Sequence, residues 1–197
     1  VNAMNEMADT FKINVLQEAL ENKKKIILFW YPKDFTFVCP TEIHAFQSKL
    51  SEFEKRNTMV IGASCDTPEV HFAWLSTPKD NGGIEGVTFP LIADSTRHLS
   101  ETLDILDTEY IGTEENYSIE GDNVSYRATF LIDEEGTIFH ESVNVMPLGR
   151  NVDEYLRLID GYAHNQKHGE VCPANWEEGK EAMSESRESV ANYLSKH

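Results

Sequence analysis

Ile26-Ile27-Leu28-Phe29-Trp30-Tyr31-Pro32-Lys33-Asp34-Phe35-Thr36-Phe37-Val38-Cys39-Pro40-Thr41-Glu42 is the stretch from which the rest of the chain is read. It opens as an apolar and aromatic run without alternation, the pattern of a strand buried on both faces in a sheet covered by helices. Pro32 stops the run. After a short loop, apolar residues return at helical spacing from Thr41 onward: Ile43, Phe46, Leu50 and Phe53. Cys39 therefore falls where a central strand hands over to a helix, at or near the helix N-terminus.

That position suits sulfur chemistry. The thiolate is the nucleophile, and the unpaired N–H groups and dipole of a helix start favour it. Thr36 lies three residues before Cys39, a spacing that lets its hydroxyl bond the sulfur or an oxygen beside it. Pro32 and Pro40 stiffen the loop. A buried structural cysteine is the competing reading, and helix position alone leaves the two level.

Outward from this stretch, residues 59–64 read as a second buried strand. Asp66-Thr67-Pro68-Glu69 opens a helix with a capping residue, a proline in the first turn and an early acid; its apolar face carries Val70, Trp74 and Leu75. Residues 77–86 read as loop, 89–94 as a short strand and 96–103 as a short helix. Residues 107–125 are acidic and turn-rich. A strand over 126–132, a hairpin turn at Asp133-Glu134-Glu135-Gly136 and a return strand over 137–145 follow. Asn151-Val152-Asp153-Glu154 opens a helix with Tyr155, Leu156, Leu158, Ile159 and Tyr162 at core spacing. Before the decisive stretch, residues 1–9 read as polar and irregular, 11–15 as a short strand and 16–22 as one or two helical turns. The order predicts an α/β, thioredoxin-like fold with a central mixed sheet flanked by helices. One domain is expected over 1–160. A polar tail is expected over 161–197, with Cys172 in a loop and an amphipathic segment near 185–194.

The chain has 197 residues, 40% of them hydrophobic, enough for one full core. A formal charge of −17 argues against nucleic acid and anionic membranes as partners. No apolar run approaches the about 20 residues that span a bilayer, and residues 1–10 lack the charged start and apolar centre of a signal peptide. Three widely spaced cysteines do not form a secreted disulfide framework. A cytoplasmic location is expected, where a cysteine pair points to redox chemistry.

Two motifs carry a resemblance. Pro32-x-x-x-Thr36-x-x-Cys39 with Pro40-Thr41-Glu42 resembles the active-site signature of the peroxiredoxins. Gly169-Glu170-Val171-Cys172-Pro173-Ala174-Asn175-Trp176 resembles the resolving-cysteine segment of the typical 2-Cys subgroup, which includes the alkyl hydroperoxide reductase C proteins. The resemblance runs from about Phe11 to the C-terminus. Against the family pattern the opening segment is missing, so a truncated N-terminal hairpin is expected, and residues 107–125 are longer than the family segment and look like a surface insertion.

The resemblance implies a thiol-dependent peroxidase for hydrogen peroxide and organic hydroperoxides. Cys39 is then the peroxidatic nucleophile and Cys172 the resolving thiol, acting on Cys39 of the other subunit; the sequence by itself does not separate pairing within a subunit from pairing between subunits. Thr36 orients the peroxide, Pro32 shields the sulfenate, and Glu42 holds the arginines. Arg127 is an arginine in a strand that should lie in the sheet and so needs a partner or a function; the resemblance assigns it to thiolate and transition-state stabilisation. Arg150 matches a second family arginine, with a surface or capping role nearly as plausible. The implied partners are a thioredoxin-like, alkyl hydroperoxide reductase F-like or D-like reductant and a second copy in a homodimer, with a decamer ring of five dimers as the larger assembly. No cofactor or metal is expected.

Other readings stay beside these. His164-x-x-x-His168-x-x-x-Cys172 has the spacing of metal ligands, but Gly169 interrupts the helix and no fourth ligand is evident. Cys65 reads as a small buried hydrophobe, and His44 and His71 as structural. Gly82-Gly83-Ile84-Glu85-Gly86 and Tyr193-Leu194 match the family's overoxidation-sensitive motifs only in part. A holdase chaperone or peroxide relay is the rival function, and a generic disulfide reductase is disfavoured because no Cys-x-x-Cys exists.

Overall fold

The structure is a computed structural model that describes residues 2–4, 10–113 and 116–197. The chain divides into two compact units, Val1–Arg150 and Asn151–His197. In chain order, the first unit contains β1 (Asn2–Met4), β2 (Thr10–Lys12), α1 (Val15–Asn22), β3 (Lys25–Trp30), α2 (Cys39–Ser48), α3 (Leu50–Lys55), β4 (Thr58–Ser64), α4 (Pro68–Leu75), β5 (Leu91–Ala93), α5 (His98–Thr102), β6 (Glu109–Thr113), β7 (Asn116–Glu120), β8 (Arg127–Ile132) and β9 (Ile138–Asn144). The second contains α6 (Val152–His168) and α7 (Arg187–Leu194).

Seven strands form one mixed sheet in the order β2-β1-β5-β4-β3-β8-β9. β3 is buried along its whole length, parallel to β4 and antiparallel to β8. Its side chains alternate between two apolar layers, which is why the run needs no polar letters. Ile26, Leu28 and Trp30 share a cluster with Ile61, Ala63, Ile92, Phe130 and Ile132, and Val15 of α1, Leu99 of α5 and Leu103 at the end of α5 pack on it. Facing the other way, Phe29 stacks on Phe46 of α2 with ring centroids 4.0 Å apart, and Tyr31 lies 5.8 Å from Trp74 of α4. This is a thioredoxin-like α/β arrangement, a central mixed sheet with helices on both faces.

The register of β8 matters for the site. Phe29 pairs with Thr129. Thr129 and Arg127, two residues earlier, therefore face the same side as Phe29 and α2.

Several expectations change. Asn2–Met4 is not irregular: it bridges β2 and β5 in the sheet, while residues 1 and 5–9 lie outside the described residues. The apolar spacing from Ile43 to Phe53 spans two helices, because Lys49 leaves helical geometry between them. Thr67 occupies the N-cap of α4 without a side-chain cap bond, and His71 and Trp74 are the helix's buried residues. A single 3-10 turn, Lys79–Asn81, sits inside the 77–86 loop. The acidic 107–125 segment contains a separate two-stranded hairpin, β6 with β7, whose described side chains are all exposed.

In the second unit, Asn151 caps α6 by accepting from the Asp153 N–H at 3.1 Å, and Gly169 ends it in left-handed geometry at φ 67°. The helix passes through Gly161 to His168. An isolated bridge ties Val171 to Met183, and Ser186 caps α7 by accepting from the Ser189 N–H at 3.1 Å.

Candidate active site

The handover from β3 to α2 builds the centre. Pro32 is buried just past the strand, and Phe35 turns the loop in left-handed geometry at φ 55°. α2 then begins at Cys39 with Pro40 in its first turn, where a missing N–H costs nothing. The Cys39 side chain is fully buried.

Two donors converge on the Cys39 Sγ. The Thr36 hydroxyl is 3.0 Å away and is also 2.9 Å from the Lys33 carbonyl oxygen, so its one proton serves either acceptor. The Arg127 Nη1 reaches the sulfur at 3.3 Å. The same Nη1 donates to Glu42 Oε2 at 2.6 Å, and Nε donates to the Met146 carbonyl at 2.6 Å, which fixes the plane of the guanidinium.

Glu42, one turn into α2, collects both arginines. Its Oε1 accepts from the backbone N–H and the Nε of Arg150 at 2.9 and 2.8 Å, and its Oε2 accepts from Arg150 Nη2 at 2.9 Å. The remaining Arg150 Nη1 donates to the carbonyls of Trp30 and Ala128 at 2.8 and 3.0 Å and to the Thr129 hydroxyl at 3.2 Å. The guanidinium lies over the Phe29 ring, 5.0 Å from its centroid. Among the described residues two buried arginines share the one carboxylate of Glu42, an arrangement that favours further negative charge beside them. The arrangement can therefore hold a thiolate and stabilise negative charge that spreads onto an attached oxygen.

The structure thus brings Thr36, Cys39, Glu42, Arg127 and Arg150 together, with Pro32 buried in the same loop. Sequence reading missed the supports. Thr129 was detectable by its alternation with Arg127; the carbonyls of Met146, Trp30 and Ala128 leave no mark in the side-chain letters. It also missed a second buried network beneath the loop. His71 Nδ1 lies 2.8 Å from Asp34 Oδ2, and His71 Nε2 donates to the Ile92 carbonyl at 3.2 Å. Burial raises the Asp34 carboxyl above its usual range. Burial alone pulls the His71 imidazole down, but its hydrogen bond and charge contact with Asp34 outweigh that and raise it. The pair keeps a proton that the separated groups release more readily.

The Gly82-Gly83 pair has a packing reason of its own: a Cβ at Gly83 would lie 1.9 Å from the Thr77 carbonyl oxygen, and the His44 Nε2 donates to the Gly83 carbonyl at 3.0 Å. Cys65 is buried with Sγ 3.5 Å from the Ser100 hydroxyl. In the second unit, Cys172 is half-buried with its Sγ 3.6 Å from the Gly161 carbonyl oxygen. Burial pushes its thiol up, Arg157 pulls it down and Glu170 pushes it up.

Comparison with known proteins gives concordant results. A family model described as the AhpC/TSA family matches residues 4–141, and one described as the C-terminal domain of 1-Cys peroxiredoxin matches residues 162–196, a stretch that here includes Cys172. The chain is 45% identical over 172 residues to alkyl hydroperoxide reductase C of Helicobacter pylori, covering 87% of this chain and 80% of that protein. It is 42% identical over 174 residues to peroxiredoxin-1 of Gekko japonicus, covering 88% and 81%. The reduced 2-Cys peroxiredoxin of Plasmodium vivax superposes with a TM-score of 0.87 at 40% identity, covering 98% of this chain and 93% of that one.

Proposed function

The chain belongs to the AhpC/TSA family of peroxiredoxins, and from that premise we propose that Cys39 is its peroxidatic thiol and Cys172 its resolving thiol. The protein is a thiol-dependent peroxidase. The observation that carries the assignment of Cys39 is the convergence of the Thr36 hydroxyl and the Arg127 guanidinium on its sulfur, at 3.0 and 3.3 Å.

In the first step the Cys39 thiolate attacks one peroxide oxygen. An S–O bond forms, the O–O bond breaks, and the departing oxide takes a proton and leaves as water or alcohol. Negative charge passes from sulfur to oxygen along the way. Arg127 stabilises it at the sulfur end and the Thr36 hydroxyl orients the peroxide. Glu42 and Arg150 hold Arg127 in place, and buried Pro32 keeps water from the sulfenate. In the second step the Cys172 thiol of the other subunit condenses with the sulfenic acid, which gives a disulfide and water and halts further oxidation. A thioredoxin-like, alkyl hydroperoxide reductase F-like or D-like dithiol returns the electrons. Both hydrogen peroxide and organic hydroperoxides are substrates in this reading.

The division of labour follows: residues 1–160 form the peroxidase domain and 161–197 the tail that carries the resolving thiol, a reading supported by the separate family matches. A homodimer is supported by β9, which ends the described sheet order and carries exposed Ile138 and Val143. A ring of five dimers is supported by exposed Phe35 and Phe37 on the active-site loop, the latter 95% exposed. Among the described residues no helix is long and apolar enough to cross a membrane; the proposed location is cytoplasmic. Replacing Cys39 with Ser tests the core of this account: turnover of hydrogen peroxide disappears, whereas retained turnover overturns it.

A further inference from the structure

The Cys39 side chain is fully buried, and a sulfur so covered cannot come within the about 2 Å of a disulfide bond until its loop moves. The loop before it is clasped by α4. His71 and Trp74, three residues apart, share one face of that helix. His71 Nδ1 lies 2.8 Å from Asp34 Oδ2, with both side chains wholly buried, and the Trp74 ring lies 5.9 Å from that of Phe35. The Asp34 N–H donates to Asp66 Oδ2 at 2.8 Å. His71 Nε2 faces the Ile92 carbonyl oxygen at 3.2 Å and so carries a proton; Nδ1 and Asp34 Oδ2 share a second one, and the Tyr31 hydroxyl is 3.5 Å from Nδ1. Beside these holds Phe35 sits at φ 55°, left-handed geometry that is uphill for a bulky residue and persists only where neighbours impose it. Asp34 Oδ1, by contrast, is buried with no hydrogen-bond partner among the described residues. Strain at Phe35 and an unmatched carboxylate oxygen both favour release, so the link holds the loop without making the hold permanent.

We infer that Asp34 is a positioning residue whose hydrogen bond to His71 holds the Cys39 loop closed, and so sets how the sulfenic acid divides between disulfide formation and further oxidation. The inference rests on the reading of Cys39 as the peroxidatic and Cys172 as the resolving thiol. With the loop closed, Thr36 and Arg127 stay on the sulfur, and a sulfenate held there attacks a second peroxide. A second S–O bond forms, the O–O bond breaks, and the departing oxide takes a proton and leaves as water or alcohol. With the loop open, the Cys172 sulfur reaches the sulfenic sulfur. The S–S bond forms, the S–O bond breaks, and the departing hydroxide takes up the proton that the Cys172 thiol released and leaves as water. A firmer hold gives more sulfinic acid, and a looser one more disulfide.

The test mixes the reduced full chain with graded excesses of hydrogen peroxide, quenches at intervals, and reads the sulfenic, sulfinic and disulfide forms by mass spectrometry. Loss of a hydrogen bond to a charged group shifts an opening equilibrium by about tenfold. Asp34→Ala keeps the backbone bond to Asp66 and loses the link to His71. It is expected to form the disulfide about tenfold faster, and to need about tenfold more peroxide for half conversion to sulfinic acid. Sulfenic acid formation, which uses the closed loop, is no faster than in the wild type. A variant that is merely destabilised does not speed up one step of the two. Asp34→Asn, whose carboxamide still bonds Nδ1, lies nearer the wild type in both readings. His71→Leu breaks the same link from α4, is expected to act in the same direction, and serves if Asp34→Ala does not fold. A disulfide rate or a sulfinic threshold that stays at or below the wild-type value in these two variants overturns the inference, as does an Asp34→Asn protein indistinguishable from Asp34→Ala. Disulfide formation that survives Cys172→Ser overturns instead the reading of Cys172 on which it rests.

Discussion

Glu42 and Arg150 are joined by three hydrogen bonds of 2.8 to 2.9 Å, one of them from the backbone N–H of Arg150 itself. This clamp fixes the end of the segment after β9 to the first turn of α2, beside Cys39. The same carboxylate reaches Arg127, so one buried acid organises both cations around the sulfur.

Glu42→Gln removes the negative charge that pairs with both guanidiniums. Breaking a buried ion pair from one side costs about 3–5 kcal/mol, because the orphaned charge stays buried. Denaturant unfolding is expected to show a loss of that size together with a slower first oxidation step. An unchanged midpoint contradicts the clamp.

Arg127 and Thr36 both reach the Cys39 sulfur, and the proposed mechanism gives the first a charge role and the second an orienting one, so their variants separate charge from orientation. Arg127→Gln is expected to lower the rate of Cys39 oxidation by about 10²–10³-fold, the usual cost of one transition-state donor. Lysine at this position recovers little, because Arg127 serves the sulfur, Glu42 and the Met146 carbonyl at once. Thr36→Val keeps the shape and loses the hydroxyl, and falls toward the same range; Thr36→Ser retains most of the rate. Stopped-flow measurement of the first step in each variant checks the order.

The Asp34–His71 pair predicts the sign of a pH effect on stability. The folded His71 is raised, so its contribution is complete below its unfolded value of about 6.5 and is lost as pH climbs through the folded value. The folded Asp34 is also raised, so its ionisation costs stability as pH rises above about 3.9. Both slopes run downward with rising pH. Unfolding free energy measured from mildly acidic to alkaline pH is expected to fall above neutrality in the wild type, and His71→Asn is expected to flatten that fall. A wild-type stability that climbs over this range contradicts the pair.

Gly161 lies within α6, where glycine is about 1 kcal/mol less favourable than alanine. An added Cβ meets the Cys172 sulfur at 3.7 Å and the Trp176 ring at 3.8 Å, ordinary contacts. Gly161→Ala is therefore expected to raise stability by about 0.5–1 kcal/mol in thermal unfolding. A loss of that size means that the helix and the cysteine segment approach each other more closely than this.

What could be read from the letters depended on range. The unbroken run before Pro32 announces a doubly buried strand, because no polar residue interrupts either face. Arg127 stands out because a charge in such a strand demands a partner. The strand at Asn2–Met4 is invisible, since three residues carry no period and its pairing with β5 spans most of the unit. The break at Lys49 is masked because Phe46, Leu50 and Phe53 keep helical spacing across it. The β6–β7 hairpin buries neither face, so nothing forced an alternating pattern on its sequence. The Asp34–His71 contact joins residues 37 apart, and the carbonyls that seat Arg127 and Arg150 have no letter at all.

The most direct measurement is intact mass and non-reducing gel mobility after one equivalent of hydrogen peroxide, on wild type and Cys172→Ser. The account predicts a Cys39–Cys172 disulfide that links two wild-type chains, and a sulfenic or more highly oxidised Cys39 in the variant that forms no such link. A Cys39 that gains no oxygen and forms no disulfide in either protein contradicts it.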